Sequence, residues 1–306
     1  MKFIFSNFFV VSAIDQPMQL SVISSHSTID QYWIRAQYDG ETEINCSFST
    51  IGQESFVPDN FIPSINLVSD SGSFLEIPTS TFSAYQDCVI ACGFGSEFGR
   101  SANRALFYRT SSDPDSMRIL VGPINPHDYC IPNSLAIIRP VFPEGETQGY
   151  IRASISVVGQ PDDEPDTHVN RFAVASTFPR DTIPRSVYNQ LVSILGSNGL
   201  AVHDDVSILG DCTAAYESLP DLRYTIYTDE SLLDYFEMFV KPDDYLHIRD
   251  GECELLVYPT DIDDAQMYLL GGEEVSTPFR ITETVLRQVA LYMDYENEIL
   301  GFCDPL

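Results

Sequence analysis

Cys212-Thr213-Ala214-Ala215-Tyr216-Glu217-Ser218-Leu219-Pro220-Asp221-Leu222-Arg223-Tyr224-Thr225-Ile226-Tyr227 is the stretch on which the reading of this chain turns. Pro220 and Asp221 punctuate it, and behind them apolar and polar side chains alternate, as in a half-buried strand. Short β-branched and aromatic runs of the same kind recur at 20–23, 65–68, 118–121, 136–138, 150–158 and 288–293. Pro, Gly, Asn, Asp and Ser divide them, and nineteen prolines with seventeen glycines allow for many turns. Helical signals are confined to 183–195, opened by Pro184 after Thr182, and to a turn near 232–239. An all-β protein with few short helices is predicted.

Its 306 residues suit one large domain or two fused lobes. Apolar residues make up 44% and charged ones 20%, enough to build a core. Acids number 45 against 16 Lys plus Arg, a formal charge of −29, and Lys2 and Lys241 are the only lysines. Such a surface repels phosphate backbones and anionic lipid, which disfavours nucleic-acid and polybasic membrane binding, and neither nucleic acid nor membrane insertion is expected. No apolar run approaches the ~20 residues of a membrane helix. Asp261-Ile262-Asp263-Asp264 lacks the central Gly and closing Glu of a calcium loop, and no metal or other cofactor is expected. Residues 161–166 read as an exposed loop. Residues 8–13 read as an apolar strand entering the turn at Asp15-Gln16-Pro17, in preference to a cleaved leader.

Seven cysteines are present, an odd number, so at least one thiol is left over or pairs with another chain. No two have the spacing of a zinc knuckle, and Cys88 and Cys92 lack a second pair or nearby His. Disulfides are favoured over metal, which points to an oxidising compartment.

The opening stretch, with Val240-Lys241-Pro242-Asp243-Asp244-Tyr245-Leu246 and Cys253 after it, resembles the C-terminal lobe of pepsin-like aspartic proteases. There a cysteine precedes a Ser-Leu-Pro-Asp-apolar strand, and a Pro-x-x-Tyr-apolar strand leads to its partner. The resemblance implies a Cys212–Cys253 disulfide and leaves the pairing of Cys46, Cys88, Cys92, Cys130 and Cys303 open. It continues from Arg280 to Phe302 without a gap: Leu286-Arg287, Asp294 and Gly301-Phe302 match the family's closing segment, while Thr282-Glu283 depart from its Gly-Asp. Its implied fold is bilobal, with a shortened lobe at 1–145, a second at 146–306 and a cleft between them.

Pepsin-like enzymes need two aspartates, one per lobe, sharing a proton and activating water. Ile14-Asp15-Gln16-Pro17 resembles the family's strand entry. Counting on from it puts His26 at the first aspartate, with Trp33-Ile34 at the interval of the family's Trp-Val. In the second lobe, Ala173-Val174-Ala175-Ser176-Thr177, followed by Ile183-Pro184, puts Ala175 at the second aspartate. Asp70-Ser71-Gly72-Ser73 spells an active-site string, but the count assigns it to the flap hairpin, with Ser69 at the flap tyrosine and Gly72 and Ser73 matching. No catalytic residue is therefore expected. The implied function is a non-catalytic homologue that binds a peptide or protein in its cleft or on its surface. Its location would be secreted, or an endomembrane or vacuolar lumen. The alternative is an active aspartic endopeptidase working through Asp70 together with Asp30 or Asp181.

Overall fold

A computed structural model describes residues 16–25, 31–38, 42–49, 56–57, 64–78, 80–81, 88–110, 113–140, 151–160, 170–174, 181–203, 207–228, 233–249, 252–259, 279–281 and 288–306. His26, Asp30, Ala175, Thr177 and the stretches 8–13, 161–166, 261–264 and 282–287 lie outside them.

The first strands are β1 (Met18–Leu20), β2 (Val22–Ser25), β3 (Gln31–Tyr38), β4 (Thr42–Ser49) and β5 (Phe56–Val57). Then come β6 (Ser64–Val68), β7 (Phe74–Pro78), β8 (Ser80–Thr81) and β9 (Cys88–Ala91). Helix α1 (Glu97–Ala102) leads to β10 (Arg104–Thr110), β11 (Asp113–Val121) and β12 (Ala136–Ile138). Next are β13 (Ile151–Val157), β14 (Asn170–Val174), β15 (Asp181–Ile183), α2 (Arg185–Ser197), β16 (Ala201–His203), β17 (Ser207–Leu209) and α3 (Cys212–Ala215). They are followed by β18 (Leu222–Tyr227), β19 (Tyr235–Val240), α4 (Pro242–Tyr245), β20 (Leu246–Arg249) and β21 (Glu252–Leu255). The last are β22 (Val257–Pro259), β23 (Phe279–Ile281), β24 (Ala290–Asp294) and β25 (Ile299–Cys303). The all-β class with few short helices holds.

Two large sheets have one design. The first runs β7-β6-β3-β4-β9-β5-β8, with β2 paired to β3, and the second runs β19-β18-β13-β14-β23-β15-β22. Position by position the strands correspond, and so does their register. Ile34 faces Cys46 and Ala36 faces Ile44 in one sheet; Ile151 faces Phe172 and Ala153 faces Asn170 in the other. The matched strands even share a tripeptide, Ile34-Arg35-Ala36 and Ile151-Arg152-Ala153. The second copy is longer because α2 and a four-stranded sheet, β16-β17-β21-β20, are inserted into it.

A third sheet, β1-β11-β10-β24-β25-β12, draws on both halves of the chain. All five residues of β24 are buried, as expected of a central strand covered on both faces. At its end Asp294, 5% exposed, accepts from Arg104 Nε, Asn297 N and Asn297 Nδ2, each at 3.1 Å, so the buried charge is hydrogen-bonded.

Alternation explains the strand faces: Ile151, Ala153, Ile155 and Val157 of β13 point inward while the residues between them are half-exposed. Helix α2 buries Val187, Tyr188, Leu191 and Leu195, a stripe at helical spacing, and packs on β13, β16 and β22. It begins just after Pro184 and ends where Gly199 takes φ +80. The expectation of a helical turn near 232–239 is corrected: β19 occupies most of it, because Tyr235–Val240 pairs along its whole length with β18.

Three disulfides form: Cys46–Cys88, Cys130–Cys303 and Cys212–Cys253. The last is the pair implied by the resemblance. Cys92 remains a thiol, buried, its Sγ 3.7 Å from the Ile90 carbonyl.

Helix α1 is capped by Ser96, whose Oγ accepts from Gly99 N at 3.0 Å, and it meets Tyr295 at Gly99. A Cβ there would lie 2.5 Å from the Tyr295 Cδ1 and 2.8 Å from its Cγ. That ring is held edge-on by Phe94 and Phe98, and its hydroxyl donates to the Cys92 carbonyl at 3.0 Å. Gly99→Ala should therefore cost about 1–3 kcal/mol through overpacking. An unchanged urea midpoint would show that the ring can step aside.

Candidate functional site

Each large sheet contains a crossing in which two parallel strands admit a third, short strand beside them. In the first, β4 runs parallel to β9, with Phe48 opposite Ile90 and Ser49 opposite Ala91, while Phe56 of β5 lies antiparallel to Val89. In the second, β14 runs parallel to β23, with Val174 opposite Ile281, while Thr182 of β15 lies antiparallel to Arg280. Phe48 and Phe56 are eight residues apart, as are Val174 and Thr182. Superposing the pairings puts Phe48 on Val174 and Ser49 on Ala175, the next residue in sequence.

His26, expected at the position matching Ala175, lies outside the described residues; the residue that follows the matched pair Phe48 and Val174 is Ser49 in one half and Ala175 in the other. The intervals agree as well, since Phe56-Val57 follow Ser49 at the spacing by which Trp33-Ile34 follow His26. One signal in the sequence accompanies this strand register. It is the Ile-Arg-Ala repeat, which aligns β3 with β13 and hence β4 with β14.

The cysteine pair nearest this crossing is asymmetric. Cys46 and Cys88 are Cα partners on β4 and β9, joined as a disulfide. Their counterparts, Phe172 and Phe279, are Cα partners on β14 and β23. A covalent cross-link in one copy is thus replaced by an aromatic pair of positions in the other.

Residues 69–73 form the tip of the β6–β7 hairpin. Ser69 N donates to Ser73 O at 2.9 Å, Ser73 N donates to Ser69 Oγ at 2.8 Å, and Gly72 N donates to Ser69 O at 3.0 Å. Gly72 takes φ +81, a conformation that favours a residue without a Cβ. Asp70 anchors the tip: its carboxylate accepts from Gln19 Nε2 at 2.6 Å and Ser21 Oγ at 2.7 Å, and its backbone N–H donates to Gln19 O. It serves as a turn residue that ties the hairpin to the strand segment at 19–21.

Asp181 has a different environment. It is fully buried at the start of β15 and accepts from the Tyr224 hydroxyl at 3.1 Å. Burial and then the neighbouring Asp181 hold the Tyr224 phenol well above its ordinary range. Asp70 and Asp181 therefore sit in separate sheets, each with its own donors. Among the described residues no three of His, Cys, Asp and Glu converge in a metal-binding group.

No protein-family model matches the chain, and no curated protein matches it in sequence.

Proposed function

We propose that this chain is a non-catalytic, bilobal homologue of the pepsin-like aspartic proteases that binds a peptide or protein segment in its interlobe cleft or on its surface. The observation that carries the reading is the register equivalence of Phe48 and Val174, which makes Ser49 and Ala175 the residues that follow. In the family each of these positions holds an aspartate in an Asp-Thr/Ser-Gly turn. Here the corresponding residues in sequence are Ser49-Thr50-Ile51 and Ala175-Ser176-Thr177, so on this reading both acids and both glycines are replaced. A hydroxyl and a methyl group cannot share a proton or activate water as a carboxyl pair does. Support also comes from the duplicated seven-strand order, the shared six-stranded sheet, and Ser69 at the flap position usually held by tyrosine. The reading puts residues 1–145 and 146–306 in separate lobes. Three disulfides fit a secreted or lumenal setting. No described helix is long and apolar enough to cross a membrane.

The test is a digestion series with an unfolded protein substrate from pH 2 to 7, with and without a transition-state peptide inhibitor of aspartic proteases. No inhibitor-sensitive cleavage is expected. Ser49→Asp combined with Ala175→Asp should gain little, because Ile51 and Thr177 put a Cβ where the turns call for glycine. Inhibitor-sensitive cleavage by the unaltered chain would overturn the proposal in favour of an active endopeptidase.

A further inference from the structure

Both large sheets end in the same kind of edge. β7 is the terminal strand of the first and β19 of the second, and among the described residues nothing pairs with the outer side of either. Matching Asn66↔Glu76 to Thr225↔Glu237 sets Phe74-Leu75-Glu76-Ile77-Pro78 on Tyr235-Phe236-Glu237-Met238-Phe239. Leu75, Ile77 and Met238 are buried, with Phe236 half-buried. The alternate positions face solvent: Phe74 is 54%, Tyr235 55% and Phe239 43% exposed, and Glu76, Pro78 and Glu237 are exposed too. Each edge thus presents an aromatic residue, a central glutamate and a second apolar residue, at the same register in both copies. Ser64 Oγ holds Glu76 at 2.8 Å, and Arg223 Nε lies 4.0 Å from Glu237.

An exposed edge offers unpaired backbone groups to an incoming strand. Its side chains choose the strand, because cross-strand neighbours on one face interact directly. A second copy of this chain would set like edges together, glutamate near glutamate, between molecules that each carry −29. A strand with apolar, Lys or Arg, and apolar side chains on one face meets aromatic, Glu and apolar instead. We infer that β7 and β19 are two equivalent docking edges, each adding an extended cationic segment of a protein partner as an extra strand. The inference rests on strand register and surface charge and does not depend on lost catalysis.

The probe is a short acetylated, amidated peptide with Val, Lys and Val at alternate positions and Thr between them, titrated calorimetrically at pH 7 and low salt. Two peptides should bind per chain, and added salt should weaken both. Glu76→Lys or Glu237→Lys should weaken one of the two sites about tenfold or more and leave the other unchanged, and the double variant should weaken both. The same peptide N-methylated on the amides that would face the edge should fail, because strand addition needs them. Far-ultraviolet dichroism checks that these surface variants stay folded. A single site, or binding indifferent to both charge reversals and N-methylation, overturns the inference. So does a dimer of the unaltered chain that either charge reversal dissociates, since the occupant would then be a second copy. Cleavage of the bound peptide would instead count against the proposed function.

Discussion

Raising the pH through 10 should unfold this protein cooperatively. Tyr224 and Tyr245 are fully buried and Tyr292 is 5% exposed. Burial pushes all three phenols up, with Asp181 adding to the effect at Tyr224 and Asp294 at Tyr292, which reaches about 12. In the unfolded chain each would titrate near 10. The folded form therefore keeps protons that the unfolded form has released, and stability falls as pH rises above 10. The contribution is fully present below pH 10. Each group removes about 1.4 kcal/mol per pH unit in the window, so three remove about 4 kcal/mol per unit. Against a typical total of 5–15 kcal/mol, an unfolding midpoint between pH 10 and 12 is expected. Tyrosinate absorbance after a rapid pH jump, read beside circular dichroism, should show a group of phenols ionising only as the fold is lost. If all sixteen tyrosines titrated together near pH 10 in a still-folded protein, the argument would fail. Tyr224→Phe supplies a second check: it leaves Asp181 short of a donor, lowering stability at neutral pH, yet makes the alkaline loss less steep.

The later half of this chain was legible because its landmarks are covalent or conformational. Pro220 stands just before β18, Pro242 opens α4, and Cys212 and Cys253 carry a disulfide. Residues of this kind constrain the backbone whatever their surroundings, so their spacing survives in the sequence. The segment 232–239 misled because Phe236, Glu237 and Met238 have no β-branch. What makes β19 a strand is its pairing with β18, a tertiary effect. The first half misled for another reason. β2–β3 and β3–β4 are successive hairpins of similar composition, and on the proposed reading Ser49 and Ile51 stand where an acid and a glycine would mark the position. Counted from a single tryptophan, the acid position falls on His26; the proposed function counts from the duplicated register and places it at Ser49, because seven paired strands constrain position far more tightly than one aromatic residue does. The edge glutamates were not legible in advance, since nothing local says which strand ends a sheet.

Removing the Cys130–Cys303 bridge should be the most damaging of the three disulfide losses. It closes a sequence separation of 173 residues, against 42 for Cys46–Cys88 and 41 for Cys212–Cys253. On chain entropy it contributes about 5 kcal/mol and each of the others about 4 kcal/mol. Entropy grows only with the logarithm of loop length, so that margin is small, and local geometry has to widen it. It does so through the C-terminal strand. Beyond β25, Ile131 N donates to Asp304 O at 2.9 Å, Leu306 N donates to Tyr129 O at 3.0 Å, and Asp304 N donates to Ser134 Oγ at 3.1 Å. All three bonds depend on the segment after Cys303 staying beside the turn at Cys130, and β12 pairs with β25 just before it. Cys130→Ala with Cys303→Ala avoids burying hydroxyls and should lower the denaturant midpoint by the equivalent of about 5 kcal/mol, or on the order of 10 °C in Tm. Hydrogen exchange should accelerate first at Ile137 and Leu300 on the β12–β25 pair, ahead of the β10–β24 pair at the sheet's centre. If the Cys212→Ala, Cys253→Ala variant lost as much stability, the C-terminal clip would add nothing beyond its loop. If exchange rose equally at both strand pairs, the bridge would act on the unfolded chain alone.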